Sequence, residues 1–339
     1  MSRNSINIII SLLFTCSILV FFSLLQSKSE VKSNLKSKPE VKSNTAITWH
    51  EKIKEYLENE EFDSAINYID IIYHQNPNNI NILIGRADVY FQDNQTGVSK
   101  ECWEKCLELD PNNIVCAERL VDLYCTIGDI NCETSIDYLL NFDSNNLTAL
   151  YFKAKLSRDL GSVELAINTY KEMLEIEPTN LKALEDLAVL YTYENNDLAA
   201  QYFELLLKEK STYKIYYNYG YFFQLKEDFL SAIEKYKKSI SLNEYWPYSY
   251  YAMGYCFLEI SRYEKEAVSQ KENLLNALKS FDKTISIDGG YLEAYYSRGR
   301  CYQYLGDKKS AMEDFKFCLM IEPGHEPAMD AITILEKNN

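Results

Sequence analysis

One short motif recurs along this chain at a fixed distance. "NPNN" at 76–79 returns as "DPNN" at 110–113, then as "EPTN" at 177–180 and "EPGH" at 322–325. Pro77 and Pro111 are 34 residues apart, and Pro178 follows Pro111 after two such periods less one residue. A period of this length constrains the fold before any other feature, because each unit must bury its apolar face on the next. Four further series keep the period. Small residues stand at Ala87, Val121, Ala154, Ala188, Gly220, Gly254 and Gly299. Three positions on come Tyr56, Tyr90, Tyr124, Tyr191, Phe223, Phe257 and Tyr302, with Ser157 the polar exception. A second small series is Ala65, Ser99, Ala166, Ala199, Ala232, Ala277 and Ala311. Four residues after each stands a large one: Ile69, Trp103, Tyr170, Phe203, Tyr236, Phe281 and Phe315.

Apolar spacing of three and four within each unit predicts two helices rather than strands. Small residues let the two backbones approach, bulky rings fill the wider gaps, and proline ends the second helix. A helix–turn–helix unit of 34 residues with these series resembles the tetratricopeptide repeat family. The resemblance is plainest in "LEAYYSRGRCYQYLGDKKSAMEDFKFCLMIEPGH", residues 292–325, and it extends over the whole body of the chain. It implies an all-α superhelix of eight repeats at 46–79, 80–113, 114–146, 147–180, 181–212, 213–246, 247–291 and 292–325, with a capping helix at 326–339. The third unit, with "GDINCETSIDYLLNFDSN", lacks the alanine and the proline, which predicts a short or shifted second helix. The seventh is eleven residues too long, near 261–272. Eleven residues are about three helical turns, so side-chain phase is kept and a taller helical hairpin is expected there.

The first 45 residues differ in kind. Residues 6–25, "INIIISLLFTCSILVFFSLL", carry no charge and match a bilayer core in length. They are read as an N-terminal transmembrane anchor within 1–27, a cleaved signal being the alternative. Residues 28–45, with "KSEVKSN" returning as "KPEVKSN", read as a flexible lysine- and serine-rich tether. Residues 1–45 hold six basic and two acidic residues of the chain's 35 and 50, leaving the body with a net charge of −19. Such a body repels phosphate backbones, and no nucleic-acid partner is expected.

No phosphate-binding loop, dinucleotide fingerprint, nucleophile elbow or metal-binding helix motif occurs. His50, His74 and His325 lie far apart in sequence, so no enzyme activity, metal or cofactor is expected. The nine cysteines include no C-x-x-C pair and read mainly as free thiols acting as small apolar residues. Cys125 and Cys132, flanking a helix turn, are the one pair singled out as a candidate disulfide.

The resemblance implies that the first helices of the units line a concave groove that takes up peptides. In some members a two-carboxylate clamp of Lys, Asn and Arg occupies the fifth and ninth places. Here those places hold His50 and Lys54, Ile84 and Asp88, Glu118 and Asp122, which disfavours that mode. The last three units instead carry tyrosines beyond those that signature packing uses. Tyr217 and Tyr221, Tyr251 and Tyr255, then Tyr296 and Tyr304 form a ladder on the groove side, joined by Arg300 and Gln303, with Tyr151, Lys155 and Arg158 in unit four. Tyrosine offers broad apolar contact with a polar tip, which suits peptide capture, while stacking of these rings on one another is the structural alternative. The expectation is a membrane-tethered scaffold for a protein or peptide partner. The five lysines after the anchor favour a cytoplasmic repeat domain. An exported envelope-assembly or secretion accessory is the alternative, and homo-oligomerisation stays open.

Overall fold

The computed structural model describes residues 48–337. The expected anchor and tether, within 1–45, lie outside the described residues. Among the described residues there are seventeen α-helices and no strand, and no helix is long and apolar enough to cross a membrane. From Lys52 onward they form one compact unit.

The helices pair in chain order. They are α1 (Trp49–Glu58) with α2 (Phe62–Gln75), α3 (Ile80–Gln92) with α4 (Thr96–Leu109), and α5 (Ile114–Ile127) with α6 (Cys132–Phe142). Then come α7 (Leu147–Asp159) with α8 (Val163–Ile176), and α9 (Leu181–Tyr193) with α10 (Leu198–Glu209). The last pairs are α11 (Tyr213–Leu225) with α12 (Phe229–Leu242), α13 (Pro247–Tyr263) with α14 (Ala267–Ile287), and α15 (Leu292–Leu305) with α16 (Lys308–Ile321). A final helix, α17 (Glu326–Lys337), packs on α16. From α2 onward each helix contacts the next in sequence, and the Tyr56 ring of α1 meets Tyr68 of α2, which is the connectivity of a helical repeat solenoid.

The recurring motif does two jobs. Pro77, Pro111, Pro178 and Pro323 each stand two residues past the end of a second helix, where the missing N–H stops the ladder. The asparagine that ends the motif caps the next helix. Asn79, Asn113 and Asn180 accept from the backbone N–H of Ile82, Cys116 and Ala183 at 3.3, 3.1 and 3.1 Å, and Asn146 does the same for Ala149 at 3.0 Å. Outside unit seven, every hairpin turns on one residue of positive φ: Glu60, Asn94, Gly128, Gly161, Asn195, Glu227 or Gly306.

The two inter-helix series form the core. Ala65, Ala166, Ala199, Ala232, Ala277 and Ala311 are fully buried, as are the large partners from Ile69 to Phe315. In the last three units the fit is closest. A Cβ built on Gly220, Gly254 or Gly299 would lie 2.6, 2.8 or 2.7 Å from the ring of Tyr236, Phe281 or Phe315. These rings therefore rest directly on the facing helix backbone, and no methyl group fits between.

Unit three has a second helix of 11 residues against 14 in its neighbours, α4 and α8. In unit seven, α13 has 17 residues against 13 in α11, and α14 has 21 against 14 in α12. The eleven extra residues are thus shared, four to the first helix and seven to the second. Only Glu264, Lys265 and Glu266 link them, and Gln270 Nε2 closes the hairpin on the Ser261 carbonyl at 3.1 Å.

The cysteines depart from the free-thiol expectation. Cys125 and Cys132 are bonded across the α5–α6 turn, with Cα atoms 4.7 Å apart. Cys106, read as a small apolar core residue, is bonded to Cys116 with Cα atoms 6.5 Å apart. That bridge crosses from α4 to α5, between units, so α4, α5 and α6 are joined covalently in series. Cys102, Cys256, Cys301 and Cys318 are buried free thiols.

Candidate functional site

The first helices lie beside one another: α5 touches α7, and α9, α11, α13 and α15 touch in sequence. Their shared inner face has two chemical halves.

The half from α11 to α15 is aromatic, but its inner tyrosines are not a separate face. The ring of Tyr217 packs on Tyr236, that of Tyr251 on Phe281 and that of Tyr296 on Phe315, each pair with centroids 5.8 Å apart. Tyr151 meets Tyr170 in the same way at 6.3 Å. In units four, six, seven and eight the inner tyrosine therefore packs on the large ring of its own second helix and is itself partly buried. Burial raises the Tyr217 hydroxyl pKa, reinforced by the neighbouring Tyr221, Tyr193, Tyr251 and Tyr248. Burial pushes the Tyr251 hydroxyl up to about 12. Tyr291, in the turn before α15, lies 5.0 Å from the Tyr251 ring and 5.7 Å from that of Tyr248.

Tyr217, Tyr248, Tyr251 and Tyr291 thus form one phenol cluster, of which sequence spacing identified two. Tyr248 and Tyr291 sit near helix starts, where the period assigns no inner face. The second tyrosine of each set is freer. Tyr221 meets Tyr193 edge-on at 6.4 Å, Tyr255 is partly buried, and Tyr304 is 46% exposed.

In unit eight, Arg300 lies between two of the predicted phenols. Its Nη1 donates to the Tyr296 hydroxyl at 3.3 Å and its Nη2 to the Tyr304 hydroxyl at 2.7 Å. Gln303, partly buried, lies on the same helix.

The half from α5 to α9 is charged. Arg158 bridges Asp186 of α9 at 3.3 Å and Asp159 at 3.1 Å, and the Lys182 ammonium lies 4.8 Å from the centre of the Tyr151 ring. Burial raises the Asp186 carboxyl pKa against the opposing pull of Arg158, and burial lowers that of the Lys155 ammonium. A cavity of about 340 Å³ opens here, lined by Val115, Glu118, Arg119, Asp122, Thr148, Phe152 and Lys182. Tyr151, Lys155 and Arg158 are therefore brought together with one another, but they stand apart from the phenol cluster, with α9 between. Asp186, which sequence reasoning did not single out, is what fixes Arg158. Among the described residues no three His, Cys, Asp or Glu side chains are grouped as a metal site needs.

Comparison with known proteins bears on the fold. The tetratricopeptide repeat family model matches residues 80–113, 147–180 and 292–325. A tetratricopeptide repeat protein from Parabacteroides merdae is 18% identical, over 76% of this chain and 98% of that one, with a TM-score of 0.52. The Cut9–Hcn1 hetero-tetramer of the APC/C gives 13% identity, 85% and 55% coverage and the same TM-score. YrrB, described as having an unusual peptide-binding site, gives 20% identity, 58% and 96% coverage and a TM-score of 0.46. A search of curated proteins finds no match. Three stretches of this chain match the tetratricopeptide repeat model, and they lie in an array of equivalent helix pairs.

Proposed function

We propose that this protein is an interaction scaffold, tethered to a membrane through residues 6–25, whose groove takes up an extended segment of a protein partner. The observation that carries this reading is the set of phenols on α11, α13 and α15. Their ring bodies rest on the core rings, so they are already ordered, and a ligand contacting them loses little further side-chain entropy. Each offers a flat apolar edge with a hydroxyl that donates or accepts, the combination enriched where proteins bind peptides.

Tyr221 and Tyr255 test the reading better than Tyr217 and Tyr251, since they are less committed to the core. The full chain is used to select binders from a synthetic random heptapeptide library, and affinities are then measured by fluorescence anisotropy. The double variant Tyr221→Ala with Tyr255→Ala is expected to lose at least tenfold in affinity while its melting temperature stays within a few degrees of wild type. Selected peptides that bind both proteins alike would end the groove reading.

A second reading, an exported repeat body, is favoured by one observation. Cys106–Cys116 and Cys125–Cys132 are bonded, and such bonds persist in oxidising compartments and are rare in the cytosol. Protease accessibility of the repeats in intact cells decides between the two faces.

A further inference from the structure

Six arginines lie among the described residues, and five of them hold a carboxylate. Arg86 pairs with Asp70, Arg119 with Asp88, Arg158 with Asp159 and Asp186, and Arg262 with Glu259. Arg298 is bound by Asp314 and Asp282 through three of its nitrogens, at 2.6 to 2.9 Å. Arg300, two residues further along the same helix, has no ion pair among the described residues. It is partly buried, and its Nε is fully buried with no hydrogen-bond partner. A body with a net charge of −19 has acid to spare, yet the neighbours supplied to Arg300 are two phenols.

The chemistry of that arrangement is specific. A guanidinium has five N–H groups in a planar fork. Tyr296 and Tyr304 accept two of them, which holds the fork in place without neutralising it. Two more remain on the terminal nitrogens. Each phenol whose oxygen accepts from Arg300 keeps its own O–H free to donate. The site therefore presents fixed donors and one uncompensated positive charge at the edge of the aromatic groove, which matches a planar carboxylate.

We infer that Arg300, held by Tyr296 and Tyr304, receives a carboxylate of the segment bound in the groove, either an Asp or Glu side chain or the C-terminal group. This rests on the peptide reading above and adds to it the polarity and one fixed point of the ligand. The site differs from the two-carboxylate clamp in residues and position: it uses one arginine and two phenols in the last repeat.

The test uses heptapeptides selected on the full chain from a library with free C termini. Each is resynthesised with an amidated C terminus, and separately with each Asp or Glu changed to Asn or Gln. One of these neutral forms is expected to bind wild type about 10- to 100-fold more weakly, as for the loss of a charged hydrogen-bonded pair. A drop on amidation assigns the C-terminal group, and a drop on side-chain neutralisation assigns an internal acid. In Arg300→Gln the acidic peptide should bind no better than its neutral form, with Arg300→Lys between the two, since it keeps the charge and loses the fork. Thermal melts of both variants check that they fold. Equal binding by wild type and Arg300→Gln, or indifference to every neutral form, overturns the inference.

Displacement of the peptide by inorganic phosphate in preference to acetate also overturns it, in favour of a phosphorylated ligand. Concentration-dependent dimers that exclude peptide overturn it in favour of a second copy. If Tyr221→Ala with Tyr255→Ala loses binding while Arg300→Gln keeps it, the groove reading stands and the carboxylate does not. If wild type selects no peptide, both fall.

Discussion

Units two and three solve the packing problem differently from units six to eight. In unit two the position facing the large ring of Trp103 is Ala87, in unit three Val121 faces a helix with no such ring, and the helices are joined by Cys106–Cys116 and Cys125–Cys132. In units six to eight that position is Gly220, Gly254 or Gly299, the ring touches backbone, and the cysteines Cys256, Cys301 and Cys318 stay as buried thiols. One end of the array is held by covalent bonds and the other by close fit. The same contrast runs along the inner face, which is charged where the disulfides are and phenolic where the fit is closest. A core ring seated on a glycine is covered from the groove side by an inner tyrosine, so close packing and the aromatic lining are parts of one arrangement.

The largest test of this contrast is alkaline pH. Burial pushes the Cys256 and Cys301 thiols up to about 12 and that of Cys318 up to about 11, from an ordinary value of 9.0. Through that window the unfolded chain releases these protons and the folded chain keeps them. The stability they contribute is therefore complete below about pH 9 and is lost as pH rises toward 12. By pH 11 the three thiols together cost roughly 7 kcal/mol. The bonded cysteines of units two and three have no thiol to titrate, and the one free thiol there, Cys102, is raised by burial against the opposing pull of Arg86. Hydrogen exchange should accordingly show units seven and eight opening first, and replacing the three thiols by alanine should reduce the pH dependence, leaving the part that the buried hydroxyls of Tyr217 and Tyr251 contribute. Equal opening at both ends would remove the contrast.

Next in size is the loss of a ring that rests on glycine. Phe281→Ala leaves a cavity beside Gly254 that the backbone cannot close, an expected loss of about 3 to 5 kcal/mol. In a solenoid the damage stays with nearest neighbours, so urea unfolding should split into two steps, with units two and three retained through the first.

Both expectations draw on features that sequence alone made legible to different degrees. The unit length, the small and large series and the taller seventh hairpin followed from period and phase, because packing partners within a unit have fixed sequence offsets. Spacing places Tyr217, Tyr251 and Tyr296 on the groove side. Their rings nevertheless reach Tyr236, Phe281 and Phe315, because a tyrosine is long enough to span two helix faces, which a helical wheel does not register. Tyr248 and Tyr291 escaped notice because residues at helix starts follow turn geometry rather than the period. Cys125 with Cys132 was suggested by a turn between them, whereas Cys106 with Cys116 joins two units and needs the stacking register to be known. Asp186 was missed for the same reason: its role depends on Arg158 in the preceding unit.

The smallest of the expected effects concerns those bonds. The loops they close are short, with sequence separations of 10 for Cys106–Cys116 and 7 for Cys125–Cys132. Chain-entropy arguments then give each bond about 2 to 3 kcal/mol. Cys125→Ser with Cys132→Ser should therefore lower stability by less than Phe281→Ala does. Because α5 also carries Cys116, the remaining bond keeps α4 and α5 together while α6 is freed. Faster hydrogen exchange should appear in α6, the helix of 11 residues, and in α7 beside it, but not in α4. Cys106→Ser with Cys116→Ser should reverse the pattern, loosening α4 against α5 and leaving the α5–α6 hairpin intact. If either variant instead loosens units six to eight, the two ends are not independent, and the division of the array into a cross-linked part and a close-fitted part fails.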